Sequence, residues 1–140
     1  MDRTDKTVSP DWVKPNPRNA RTHTKRQVEE VARIIRECGW TAPIIVDENG
    51  VLIAGHLRLQ AARVLNMTEI PAVIVSGLSE AKKRALMLAD NKVALKSGYD
   101  RELLAIELPE LQVLLTEEGL DIGLTGFEPF EVDALVTDFE

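Results

Sequence analysis

Apolar positions along this chain follow two rhythms, one of helices and one of short strands. In THTKRQVEEVARIIRECG, Val28, Val31, Ile34, Ile35 and Cys38 recur at three- and four-residue spacing, which places them on one face of a helix. Thr24 is positioned to cap that helix, Gln27 completes a capping box three residues on, and Gly39 stops it. In PIIVDENGVLIAG two apolar runs flank Asn49-Gly50, a pair that tolerates the backbone of a tight hairpin turn. HLRLQAARVLN then reads as a helix with Leu57, Ala61, Val64 and Leu65 inward, and EIPAVIVS as a buried strand. SEAKKRALMLADNKVA predicts a helix capped by Ser79, apolar at Ala81, Ala85, Leu86, Leu88 and Ala89. Asp100 can cap RELLAIELPELQVLLTEEG, which Pro109 should kink or divide, and Pro129 suits the first turn of a last short helix.

Ahead of these elements, residues 1–9 are polar and read as a disordered N-terminus. PDWVKPNPRNAR offers a short extended piece at residues 12–14 before Pro15 and Pro17 impose an irregular loop. The order β-α-β-β-α-β-α, followed by two or three helices, predicts an α/β (α+β) fold. A small mixed-sheet domain would span residues 10–97, with an acidic helical extension or connector over 98–140.

Charge divides the chain the same way. Residues 1–36 carry nine Lys/Arg and five Asp/Glu, residues 37–99 seven and six, and residues 100–140 one and twelve. A mildly basic body permits an anionic ligand, whereas the C-terminal region, with a net charge of −11, repels nucleic acid unless held away. The single Cys38 cannot form an internal disulfide, and its place on the apolar stripe reads as a packed small hydrophobe. No apolar run approaches the roughly 20 residues of a membrane span, and MDRTDKTVSP lacks the apolar core of a signal peptide. A soluble, cytoplasmic protein without a membrane partner is expected.

One join draws attention. In VLIAGHLRLQ a strand hands over to a helix at Gly55, with His56 and Arg58 on the first turn. A glycine allows the sharp turn and a close approach of ligand to backbone. The helix start offers free N–H groups and the positive end of its dipole, and Arg58 can add a charge-assisted contact. The join is either chain geometry alone or a phosphate site, in which case Arg18 and Arg21 from the proline-stiffened loop are candidate further ligands. Asp90 and Asn91 in LADNK carry oxygens suited to Mg²⁺. Zinc spacing, a P-loop and a dinucleotide fingerprint are missing, and His23 and His56 are isolated from cysteine.

Three segments in order, NPRNAR, GHLRLQAA and LADNK, resemble the ParB N-terminal domain of the ParB/sulfiredoxin superfamily over residues 10–95. The resemblance implies a nucleotide pocket binding CTP, or ATP, with Mg²⁺. Arg18, Gly55, His56, Arg58, Asp90 and Asn91 fall in the matching segments, and the resemblance makes DNA a possible partner. Partition proteins read Gly-Glu-Arg-Arg where this chain has Gly55, His56, Leu57 and Arg58, so His56 stands in place of a glutamate linked to nucleotide hydrolysis. Sulfiredoxins carry their catalytic cysteine in this turn, at the position of His56, which argues against that reaction. The version found in this chain is most similar to ParB-like domains of phage and mobile-element proteins, termed ParB-like nucleases, which often precede a DNA methyltransferase. The resemblance leaves no room for the helix-turn-helix that reads a partition site, and makes the tail a connector to a methyltransferase domain or other protein. It implies a nucleotide- or DNA-binding module accessory to DNA modification. The alternatives are a metal-dependent nuclease or nucleotide hydrolase using His56 and Asp90, and a protein-interaction domain acting through the acidic helices.

Overall fold

The computed structural model describes residues 1–18, 23–96 and 98–140; the side chains of Asn91 and of residues 93–96 lie outside that description, as does Arg21. The chain divides into two compact units, Met1–Lys96 and Ser97–Glu140.

The first unit runs β1 (Asp2–Val8), α1 (Lys25–Cys38), β2 (Ile44–Asp47), β3 (Leu52–Ala54), α2 (His56–Val64), β4 (Ile70–Ser76) and α3 (Glu80–Lys96). Its four strands form one mixed sheet in the order β1-β4-β2-β3. β4 lies parallel to β2 and antiparallel to β1, and β2 and β3 form an antiparallel hairpin with a register shift between Ile45 and Val46.

Period-two alternation sorts the side chains of the inner strands to two faces. Ile70 and Ala72 of β4, Ile44 and Val46 of β2 and Leu52 of β3 pack with Leu59 and Ala62 of α2. Val73 and Val75 of β4 and Ile53 of β3 pack instead with Met87 of α3. Because both faces are covered, the strands read as continuous apolar runs, as the sequence showed. Behind α2, Val28 and Ala32 of α1 meet Ala61, where the small side chain lets the two helices close up.

Residues 1–9, expected to be disordered, hold β1, whose seven residues pair with β4 from Asp2 opposite Ser76 to Val8 opposite Ile70. Six of those seven are exposed, so backbone hydrogen bonds hold this strand and its sequence shows no apolar rhythm. Three further expectations are corrected. Cys38, the last residue of α1, is exposed just before the Gly39 cap. Val64 is 55% exposed, with Leu59, Ala61 and Ala62 forming the buried stripe of α2. On α3 only the stripe facing the sheet is covered: Met87 is buried and Leu86 half-buried, while Ala81, Ala85, Leu88 and Ala89 face solvent.

The second unit holds α4 (Arg101–Glu117), a 3₁₀ turn (Ile122–Thr125) and α5 (Pro129–Asp138) around Leu108, Leu115, Ile122, Val132 and Leu135. α4 continues through Pro109 without being divided. Asp100 caps it by accepting the N–H of Leu103 at 3.1 Å, and Pro129 occupies the first turn of α5. Arg101 donates to Asp138 at 2.7 Å, tying the start of α4 to the end of α5.

Candidate anion site at a strand-to-helix join

Gly55 is the N-cap of α2 with φ +102° and ψ 25°, a region L side chains rarely enter. A Cβ built there would stand 2.7 Å from Ile44 Cγ2. The missing side chain therefore lets the turn pass against β2. The space that the sequence reading left for a ligand at this atom is filled by Ile44.

What the glycine leaves open is the helix end itself. Thr24, Ser79 and Asp100 each give a side-chain oxygen to a first-turn N–H of α1, α3 and α4. At α2 the N-cap has no side-chain acceptor to offer. The first-turn N–H groups and the dipole are thus turned toward whatever occupies that end. Arg58, on this same turn, is exposed and forms no ion pair or side-chain hydrogen bond among the described residues.

His56 opens α2 and is half-buried, with Nε2 enclosed and without a hydrogen-bond partner among the described residues. Burial holds its imidazole below the usual histidine range, and the charge of His23, just ahead of α1, lowers it further. The sequence reading placed both histidines away from cysteine and did not relate them to each other; the fold brings their fields together.

The other candidate residues belong to other segments of the chain. Arg18 is exposed, and its backbone N–H donates to Asn16 Oδ1 at 3.0 Å. Arg21 lies outside the described residues. Asp90 is exposed within α3, several residues before its end, and α3 packs on the opposite sheet face from α2. Asn91 follows it on α3, and its side chain lies outside the description. Among the described residues no three His, Cys, Asp or Glu side chains converge in a way that could hold a metal ion.

A second polar feature went unread. Asp47, the last residue of β2, is 4% exposed. Its Oδ1 accepts the N–H of Asn49 at 2.8 Å and of Val51 at 2.9 Å, and Oδ2 takes Lys83 Nζ of α3 at 3.1 Å. Glu48 joins Lys83 at 3.3 Å. An aspartate ending an apolar run two residues before Asn-Gly is the signal that could have revealed this turn-capping role.

Comparison with known proteins now gives these observations a family context. The ParB N-terminal domain profile matches residues 2–92, and the ParB-methyltransferase HTH domain profile matches residues 102–140. The second match gives the tail a helix-turn-helix relationship that the sequence reading did not anticipate. The ParB-like nuclease domain-containing protein YnaK of Escherichia coli is 42% identical over 72 residues, covering 51% of this chain and 83% of YnaK. The crystal structure of C-terminally truncated chromosome-partitioning protein ParB from Caulobacter crescentus complexed with CTP-gamma-S superposes with a TM-score of 0.67 at 19% identity, over 78% of this chain and 63% of that one. Sulfiredoxin from Arabidopsis thaliana superposes with a TM-score of 0.50 at 21% identity, over 59% of this chain and 97% of that one. The matched region spans 24–31% of the length of the curated chromosome-partitioning relatives.

Proposed function

The chain belongs to the ParB N-terminal domain family, and from that premise we propose that it binds a nucleoside triphosphate, CTP before ATP, at the start of α2. One observation carries the reading: the first turn of α2 has no side-chain cap and presents Arg58 without a charged partner among the described residues. Phosphate oxygens suit both features, since helix-end N–H groups and a guanidinium are complementary to an anion. The CTP-gamma-S complex of a ParB with the same fold supports the choice of CTP. Arg18 and Arg21 are the proposed additional phosphate ligands. Asp90 and Asn91 are the proposed holders of a Mg²⁺ ion that would neutralise phosphate charge, which requires α3 to reach the phosphates from the other side of the sheet. Within this reading the domain is a nucleotide-responsive module accessory to DNA modification, which the methyltransferase-type profile over residues 102–140 supports.

Titration of the isotope-labelled chain with CTP, ATP and a short duplex, each with and without Mg²⁺, tests this. Amide shifts concentrated at residues 55–58 with CTP are expected; no shift there at millimolar nucleotide overturns the proposal. Arg58→Ala should weaken binding by about 1–3 kcal/mol, the range for a hydrogen bond to a charged group.

Proton linkage gives a separate check. Burial and His23 lower the His56 pKa in the free protein, and a bound phosphate opposes both effects by favouring imidazolium. Binding then takes up a proton, so affinity rises as the pH falls between the bound and free pKa values. A pH series of dissociation constants should show this slope in the wild type and lose it in His56→Ala.

The name of YnaK raises a second reading, nucleic-acid cleavage with His56 as general base and Asp90 as metal ligand. The lowered pKa of His56 keeps the imidazole in the neutral form a base requires. Mg²⁺-dependent cleavage lost in both His56→Ala and Asp90→Ala would establish it, and activity surviving both would remove this site from consideration.

A further inference from the structure

The helix-turn-helix unit carries a charge that conflicts with DNA reading. Residues 100–140 hold twelve acidic side chains and one basic, Arg101, and that arginine is already paired with Asp138 at 2.7 Å. Binding to duplex DNA draws its affinity from cations that replace counterions along the phosphates. This unit has no basic side chain left to do so.

Its surface has another character. Tyr99, Leu103 and Phe130 are 70%, 63% and 71% exposed, and they line two adjoining hollows that share Tyr99 and Leu104, one reaching Phe130 of α5 and the other Leu103 of α4; together these form a cleft. Phe127 forms part of the lining and meets the Tyr99 ring edge-on at 5.7 Å. Three of the six aromatic side chains in the whole chain therefore gather around this cleft. Glu107 and Glu131 stand at its margin. Aromatic anchors inside a charged rim are the usual anatomy of a protein interface.

We infer that this cleft docks a basic amphipathic segment of a partner protein, its apolar side chains seated among Tyr99, Leu103 and Phe130 and its lysines or arginines against the acidic rim. Charge selects this occupant. A second copy of the unit would bring −11 against −11, and a nucleic acid would add phosphates to carboxylates. The inference rests on the second unit alone and is independent of nucleotide binding at α2.

The test is calorimetric titration of the full 140-residue chain with an 18-residue Lys/Leu amphipathic helix, and with a peptide of the same composition in scrambled order. The amphipathic peptide should bind at least tenfold tighter than the scrambled one. Phe130→Ala should reduce that binding at least tenfold, and Glu107→Lys, which leaves the apolar lining intact, should also weaken it. Raising the salt from 50 to 300 mM should weaken it again. Both side chains are exposed, and circular dichroism checks that the variants fold. Equal binding of the two peptides, or indifference to both substitutions, overturns the inference. So does a 20-base-pair duplex that shifts Tyr99 and Leu103, or a dimer of the chain that Phe130→Ala dissolves.

Discussion

Asp47→Ala lowers the unfolding free energy by about 3–5 kcal/mol, the range for removing one partner of a buried ion pair. The aspartate side chain is 6% exposed and that of Lys83 16%, so the ammonium left behind would remain largely enclosed beside Glu48 alone. The same change strips the acceptor from the N–H groups of Asn49 and Val51, which set the hairpin between β2 and β3. Asp47→Asn separates the two roles. An amide oxygen still accepts both N–H groups, so its cost should be about 1.5–3 kcal/mol, the share of the charged hydrogen bond to Lys83. Burial alone would push the Asp47 carboxyl up, but the N–H of Val51, the Lys83 ammonium and the N–H of Asn49 together hold it below the usual carboxylate range. A lowered native pKa means the contribution is complete above the unfolded pKa of about 3.9 and fades as the pH falls through the native value. Urea midpoints measured from pH 7 to pH 3 should show this loss in the wild type, and Asp47→Asn should remove that component.

Gly55→Ala comes next, at about 2–5 kcal/mol. Left-handed backbone costs an L residue about 1–2 kcal/mol. The added Cβ also meets Ile44 Cγ2 at 2.7 Å and Ile44 Cα at 3.2 Å, and overpacking of this kind costs about 1–3 kcal/mol. The two contributions separate in a double-mutant cycle. In an Ile44→Ala background the 2.7 Å contact with Cγ2 disappears while those with Cβ at 3.1 Å and Cα at 3.2 Å remain, and the cost of Gly55→Ala should fall toward the backbone share. Full additivity in that cycle would show that the Ile44 side chain does not constrain the turn.

Much of this architecture was legible because its signals are local. Thr24 and Gln27 form the capping box their spacing announced, with bonds of 3.1 and 2.9 Å, and Gly39 ends α1. The hairpin around Asn49-Gly50 forms with Gly50 at φ +81°. The strand-to-helix join at Gly55 is likewise where the sequence placed it. What escaped notice depended on tertiary neighbours. Lys83 lies 36 residues from Asp47, so nothing near either residue announces their pairing. On α3 several alanines and leucines are compatible with a helix face, and only the position of the sheet decides that Met87 is the residue covered. The tail was read as acidic helices, and the Asp100 cap and the start at Pro129 hold, but neither announces the small core of Leu108, Leu115, Ile122, Val132 and Leu135 that packs them together. The reading of Gly55 as an opening for a ligand failed for a similar reason: the residue filling that opening, Ile44, belongs to another strand.

The pairing of β1 with β4 also sets a timetable for synthesis. Asp2 finds its partner in Ser76 and Val8 in Ile70, so more than sixty residues must be made after β1 before its ladder can close. At ribosomal rates of roughly 5–20 residues per second, the nascent segment waits on the order of 3–15 s with its amides open to solvent. Its side chains, DRTDKTV, are almost all polar. Such a composition keeps the waiting strand from sticking to other chains, at little loss to a pairing held by the backbone and by one buried side chain, Val8.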